Sequence, residues 1–490
     1  MAQQQVTPAK VSRRDVGLRS ERGPVLLSVM MSVALVAIDA TILSTAVPSI
    51  VRQLGGFAQF PWLFSVYLLA QAVSVPIYGK LSDQFGRKPI MLIGVGLFVL
   101  GSVLCGVAWN MGALIAFRAV QGLGAGAVQP ISMTIIGDLY SVAERATVQG
   151  YVASVWGVAS VIGPTLGGVF SDFLSWRWIF FVNVPVGAVA AWLLARRFRE
   201  EVTPSKHRID FAGSALLTVG ASLLILGLLE GGVVWSWTSP VSIAVFAVGV
   251  VLLVGFGLNE RRAAEPILPG WVFRRRILNG TNLTSLTVGM LLIGLTSYIP
   301  LFVQNVLGAN ALIAGFAVAA LSLGWPIAAS QAGRLYLRIG FRNTALIGSV
   351  LVVVGTALLL LLDRTSSVFQ VGATCFVIGL GMGLVASPTL VAAQSTVDWR
   401  SRGVVTGTNM FARSMGSAVG IAVFGAIANA TIARAGGSGT VVAHSGSATG
   451  VPVAALESAV HDVYVGSAVI AVLMVVAVLL VPRHVGDEQR

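Results

Sequence analysis

The chain has 490 residues, of which 56% are hydrophobic and only 10% charged, and its mean hydropathy is +0.86. Soluble domains carry roughly 25% charged residues, so these figures exclude one and require a membrane protein. The net charge of +13 does not point to nucleic acid, because the 32 Lys and Arg lie in short clusters between apolar runs.

Apolar runs of helical length, cut at charged or Gly/Pro/Asn clusters, predict fourteen spans. Six run near 24–47, 62–79, 89–108, 112–137, 147–170 and 178–196. Two follow near 211–229 and 240–258, then six more near 279–304, 313–333, 343–362, 368–392, 403–428 and 461–482. The first run is followed by more of the same, so no cleavable signal peptide is expected. With the N-terminus inside, the inner segments hold 26 of the 32 positive charges. The outer segments keep Arg52, Arg177, Arg364 and Arg434, while Arg118 and Arg413 fall within spans. This asymmetry predicts an even number of spans with both termini cytoplasmic.

The basic connectors 196–210 and 259–278 bracket the seventh and eighth spans as an inserted pair. Segment 430–460, rich in Gly, Ser, Ala and Val, reads as a long, mobile outer loop without chemistry. The chain also repeats itself: Gly79-Lys80-Leu81 with Gly86 and Lys88 is echoed at an offset of 254 by Gly333-Arg334-Leu335, Gly340 and Arg342. Gly150 and Gly163 return as Gly407 and Gly420 at an offset of 257. Such parallel repeats predict two six-helix halves with a substrate site between them near mid-membrane. The expected division is a cytoplasmic tail 1–23, a bundle 24–200, the inserted pair 201–265, a second bundle 266–482 and a tail 483–490.

One carboxylate, Asp39, lies deep in an apolar span, and hydrocarbon does not solvate its charge, so it is the expected proton carrier. The four histidines, His207, His444, His461 and His484, are all read as outside the spans, which leaves no histidine relay. Asp39 precedes Pro48 by nine residues and Arg118 follows Met111 by seven. At about 1.5 Å per residue the two differ in depth by about 3 Å, which predicts a pair. A permanently paired structural acid and a helix-packing arginine are the alternatives. Cys105 and Cys375 sit in apolar runs and imply neither a disulfide framework nor a metal site. Gly122, Gly124 and Gly126 have nucleotide-loop spacing but sit inside a span with no Gly-Lys-Ser/Thr ending, so no ATP site is expected.

Gly79-Lys80-Leu81-Ser82-Asp83-Gln84-Phe85-Gly86-Arg87-Lys88, read as the loop between the second and third spans, resembles the signature loop of the major facilitator superfamily. Arg118-Ala119-Val120-Gln121-Gly122 is similar to that family's second motif, and Gly163-Pro164-Thr165-Leu166-Gly167-Gly168 to the motif associated with antiporters. Asp39-Ala40-Thr41-Ile42 with Ala46-Val47-Pro48, and Trp176-Arg177-Trp178 through Asn183-Val184-Pro185, resemble the fourteen-helix drug:proton antiporter branch. Two positions depart from the pattern: Ala159 stands where the antiporter motif often has Gly, and Leu337 replaces Asp83 in the second loop copy. The resemblance implies an all-α integral membrane protein of the major facilitator fold, two six-helix bundles plus two inserted helices. It further implies a secondary active transporter for multidrug efflux and antibiotic resistance, and the preference for Arg, Ala, Val and Gly over Lys suits a bacterial plasma membrane. In the family, the arginine at the Arg118 position is linked to proton transfer.

Asp83, Arg87 and Asp138, with Gly79 and Gly86, are expected to latch the cytoplasmic side: Arg87 against Asp138, and Asp83 against the start of the thirteenth span near Gly403. Solvated charges that only orient the chain are the alternative. Gly150, Gly157, Gly163, Pro164, Gly167 and Gly168 suggest close packing and a bend in span five. Tyr67, Gln71, Trp156, Asn282, Tyr298, Gln304 and Arg413 are candidates for a cavity wall that also includes Asp39. The expected function is proton-coupled export of amphipathic cationic or neutral small molecules by alternating access. Export of a lipid or a specific secondary metabolite is a second reading, and a non-transporting sensor or scaffold a third. No nucleophile–base set and no metal cluster points to an enzyme. The expected partners are the substrate, protons and membrane lipids, with no cofactor, no nucleic acid and a monomeric state.

Overall fold

In the computed structural model the described residues are 16–55, 59, 62–200, 209–231, 234–435, 440–442, 447–449 and 452–483, apart from a few side chains that include Pro48 and Pro164. His207, His444, His484 and most of the two expected tails lie outside them. Among the described residues fourteen helices are long and apolar enough to cross a membrane. They are α1 (Gly23–Leu54), α2 (Trp62–Phe85), α3 (Arg87–Gly106), α4 (Met111–Leu139), α5 (Val142–Val169) and α6 (Asn183–Arg197, preceded by a short turn Trp178–Phe181). The inserted pair is α7 (Phe211–Glu230) and α8 (Pro240–Glu260). Then come α9 (Arg276–Asn305), α10 (Ala311–Ile339), α11 (Phe341–Leu359), α12 (Val368–Ser395), α13 (Trp399–Arg434) and α14 (Val453–Leu480).

Local chemistry sets many of the helix starts. Asn110 accepts the Ala113 N–H at α4, and Ser141 with Glu144, like Ser367 with Gln370, closes a reciprocal capping pair at α5 and α12. Glu200, in the basic connector, accepts the backbone N–H of Arg87 at 2.9 Å and of Lys88 at 3.0 Å, placing a carboxylate at the positive end of α3.

Several boundaries differ from the sequence expectation, the largest of them by lengthening a helix. The helix α14 begins at Val453 rather than near 461, because Glu457 pairs with Arg364 and Asp462 accepts a 2.6 Å bond from Thr431. Glu457, which fell outside the expected span, is therefore carried on the helix, and His461 lies inside α14 on an exposed face. The expected mobile loop 430–460 shrinks accordingly, since α13 continues to Arg434 and an antiparallel hairpin, β1 (Thr440–Val442) with β2 (Ser447–Thr449), fills part of the gap. The signature segment is not a loop either. Gly79 through Phe85 continues α2, and Gly86 alone, at φ 95°, makes the turn into α3. In α5 the backbone remains helical through position 164 and gives way to a π-turn at Phe170–Leu174.

The apolar residues gather in two main cores. One is built from α1 to α6, around Leu35, Phe98, Ile131 and Leu194. The other is built mostly from α9 to α14, around Leu291, Phe302, Ile378 and Met474. It also takes in Leu217, Ala221, Ile225 and Leu229 of α7 and Ala72 and Val73 of α2. The bundles meet along two seams, α2 with α13 and α5 with α10. Where they touch, side chains are small: a Cβ on Gly79 would lie 2.5 Å from the Gly403 oxygen, and one on Gly150 would lie 2.9 Å from Ser330 Cβ.

Candidate functional site

Two constellations of buried polar groups stand out, one at mid-span and one at the face where most Lys and Arg lie, called here the basic face. At mid-span, α1 supplies Asp39 and α4 supplies Arg118 and Gln121, which three-residue spacing puts on one face of the helix. Asp39 and Arg118 are each 1% exposed. Arg118 Nη1 lies 2.6 Å from Asp39 Oδ2 and donates to Gln121 Oε1 at 2.7 Å. Gln121 Nε2 donates to the other Asp39 oxygen at 2.8 Å and to Ser102 of α3 at 2.7 Å. Asn183, at the start of α6, reaches the same Ser102 hydroxyl at 3.2 Å. The guanidinium is completed by the Leu63 carbonyl at 3.1 Å and by the Tyr67 ring, whose centroid is 4.1 Å away. The tight fit has a visible cause: a Cβ on Gly101 would stand 2.5 Å from the Gln121 backbone, so only glycine lets α3 approach.

This arrangement sets what Asp39 can do. Both its oxygens are occupied and it is shut off from solvent, so cargo does not reach it in this conformation. Protonation would remove the charge that holds Arg118, while the Leu63 carbonyl, the Gln121 oxygen and the Tyr67 ring would remain. Proton and guanidinium thus compete for one carboxylate, and breaking such a buried pair costs about 3–5 kcal/mol.

At the basic face, Arg87 is fully buried and lies 2.9 Å from both Asp83 Oδ1 and Asp138 Oδ2. It also donates to the Ser82 and Trp399 carbonyls and stacks over the Trp399 ring. Asp83 accepts the N–H groups of Gly403 and Val404, each at 2.8 Å, at the start of α13. Arg402 crosses between the bundles as well, to Asp138 Oδ1 and the Gly137 carbonyl, each at 2.9 Å. Tyr336 reaches the Val142 carbonyl and Gln394 the Met133 carbonyl. These cross-bundle bonds cluster at the basic-face ends, so the structure is closed on that side.

The structure brings Asp39 to Arg118 and Asp83, Arg87 and Asp138 to one cluster. The other expected site residues scatter. Tyr67 joins the Asp39 group, Gln71 and Asn282 are half-buried, and Trp156 is 36% exposed. Tyr298 is buried against Phe424 and Gln304 is exposed at the end of α9, so these two are not brought to the Asp39 group. Arg413 is half-buried on α13. In α5, Gly163 packs where α1 passes, a Cβ there meeting Thr41 Oγ1 at 2.0 Å, and Gly167 is buried, whereas Gly168 faces open space and has no packing need. The side chain of Pro164 lies outside the described residues. Sequence reading missed Gln121 as a ligand of Asp39, together with Ser102, Asn183, Glu200, Trp399 and Arg402. Gln121 had a signal in its place three residues beyond Arg118, on the same helix face.

The family model described as Major Facilitator Superfamily matches residues 29–421. The chain is 37% identical over 405 residues to Multidrug resistance protein 3 of Bacillus subtilis, covering 82% of this chain and 79% of that protein. It is 36% identical over 414 residues to the Multidrug transporter protein MdtP of the same organism, covering 84% and 76%. It is 33% identical over 407 residues to Efflux pump dotC of Dothistroma septosporum, covering 81% and 70%. Among solved structures, the human organic anion transporter MFSD10 superposes with a TM-score of 0.65 at 16% identity, covering 94% of this chain and 99% of that one, which speaks to the fold. With a family match across most of its length and fourteen spans in the arrangement described, this multi-pass membrane protein belongs to the major facilitator superfamily of transporters.

Proposed function

We propose that the protein is a proton-coupled exporter of small amphipathic molecules, working by alternating access between its two six-helix bundles. The observation that carries this reading is the Asp39–Arg118–Gln121 network, a neutralised acid sealed at mid-span where a charge is costly and by default functional. Its chemistry supports coupling: a proton arriving at Asp39 frees Arg118, and Arg118 returning expels the proton. Cargo then shifts the balance of conformations only by preferring one of them. The multidrug and efflux names of three relatives support export of small molecules. The excess of Lys and Arg at one face supports a cytoplasmic basic face and termini in a bacterial plasma membrane. On that orientation the basic-face cluster latches the state open to the outside, and loading from the cytoplasm requires it to release.

The test is proton-driven uptake into inverted vesicles. Asp39→Asn keeps the side-chain shape and expression but removes the exchangeable proton, so uptake driven by a pH gradient is expected to disappear. Full gradient-driven activity in that variant would sink the coupling mechanism.

A further inference from the structure

Arg413 stands apart from the other charges set well inside the spans. Asp39 and Arg118 neutralise each other, and Asp462 accepts the Thr431 hydroxyl. The Arg413 side chain makes no hydrogen bond or ion pair among the described residues, and no acidic group is near enough to act on its charge. The residue is only half-buried.

Its placement is set by the backbone. The Arg413 carbonyl lies against Gly289 of α9, where a Cβ would come within 2.0 Å, so α13 is seated directly on α9 at this residue. Asn409 and Ser417, one turn to either side, bond to α9 at the Thr281 and Gly289 carbonyls. Phe411 and Met415 pack into the apolar core, and at 100° per residue they leave α13 on the side opposite Arg413. Arg413 lies fourteen residues from the basic-face end of α13, as Trp156 does in α5 and Gln71 in α2. The three therefore share a level about 21 Å from those ends.

A guanidinium at this depth with no counter-charge is expensive, and such groups face water-filled cavities and mark substrate paths. Its planar fork of donors matches an oxyanion in a bidentate manner. We propose that Arg413 is the anchoring charge for cargo, and that the transported amphipath carries a carboxylate or a comparable oxyanion. This rests on the exporter reading and replaces the cationic or neutral cargo expected from sequence. Asp39 and Arg118 cancel each other, so an anionic cargo supplies the counter-charge that Arg413 lacks beside it, whereas a cationic one adds to an unrelieved local positive charge.

The experiment is equilibrium binding to purified full-length protein in lipid nanodiscs, with three probes of one shape. These are 1-naphthaleneacetate, the neutral 1-naphthaleneacetamide and the cationic 1-naphthylmethylammonium. The carboxylate is expected to bind about tenfold or more tightly than the amine. That preference should collapse in Arg413→Gln and largely survive in Arg413→Lys, which keeps the charge and shows that the site still folds. A preference unchanged in Arg413→Gln, an equal or stronger affinity for the amine, or no saturable binding of the carboxylate overturns the proposal. Gradient-driven uptake in the Asp39→Asn variant is read separately. Carboxylate selectivity without proton-dependent transport removes the antiport and keeps the anchor, whereas proton-driven transport of the amine, indifferent to Arg413, does the reverse.

Discussion

The turns from α2 to α3 and from α10 to α11 are copies of one backbone with different chemistry. Each pivots on a single glycine, Gly86 at φ 95° and Gly340 at φ 85°, whose N–H bonds the carbonyl four residues back. In the first copy, Asp83 and Arg87 build a charged clamp onto α13 and α4. In the second, the same offsets hold Leu337 and Phe341. Leu337 is 41% exposed, while Phe341 packs on Tyr336 at 4.8 Å, and the Tyr336 hydroxyl gives a single bond to the Val142 carbonyl at 2.9 Å. Duplication has kept the fold of the turn, and the lock has been concentrated on one side. Charge-assisted hydrogen bonds are about twice as strong as neutral ones, so the two sides of the basic face contribute unequally to holding it shut.

That inequality can be broken at graded cost. Arg87→Ala takes from buried Asp83 its ion-pair partner and leaves half-buried Asp138 with Arg402 alone, and should destabilise the closed arrangement by about 3–5 kcal/mol. Electron–electron double resonance between labels at the basic-face ends of α2 and α13 should then show a longer distance and transport should slow; an unchanged distance would remove the latch. Gly79→Ala should cost about 1–3 kcal/mol by overpacking against Gly403, seen as a lower melting temperature in detergent with both charge clusters intact. Tyr336→Phe removes one neutral bond and should cost about 0.5–1.5 kcal/mol, with a much smaller distance change than Arg87→Ala. An effect of Tyr336→Phe as large as that of Arg87→Ala would show the two turns to be equal after all.

What sequence revealed of this follows from how rare a signal was. Asp39 and Arg118 were legible because charges deep in apolar runs are few, and counting residues from the outer ends placed them at one depth. The Asp83, Arg87 and Asp138 cluster was legible through its motif. Ser102 and Asn183 were not, since a neutral polar residue on an apolar helix looks like ordinary packing until its neighbours are known. Trp399 and Arg402 stayed hidden because they reach across the bundles to partners more than 250 residues away. The late start assigned to α14 came from cutting spans at charged positions, which left Glu457 outside, when pairing with Arg364 lets the helix carry it.

The inserted pair makes the two seams mechanically unlike. Along α2 and α13, α7 packs against both partners, and Gln84 at the end of α2 is bonded to Glu265 in the linker beyond α8. Along α5 and α10, neither inserted helix packs closely against both partners among the described residues. Prising α2 from α13 must also peel α7 off one of them and expose Leu217, Ala221, Ile225 or Leu229, which adds work in proportion to the apolar area uncovered. The α5–α10 seam parts without that surcharge. A cycle that swings the bundles about α7 as a strap, opening more widely on the far side, is therefore cheaper than one that opens both seams alike.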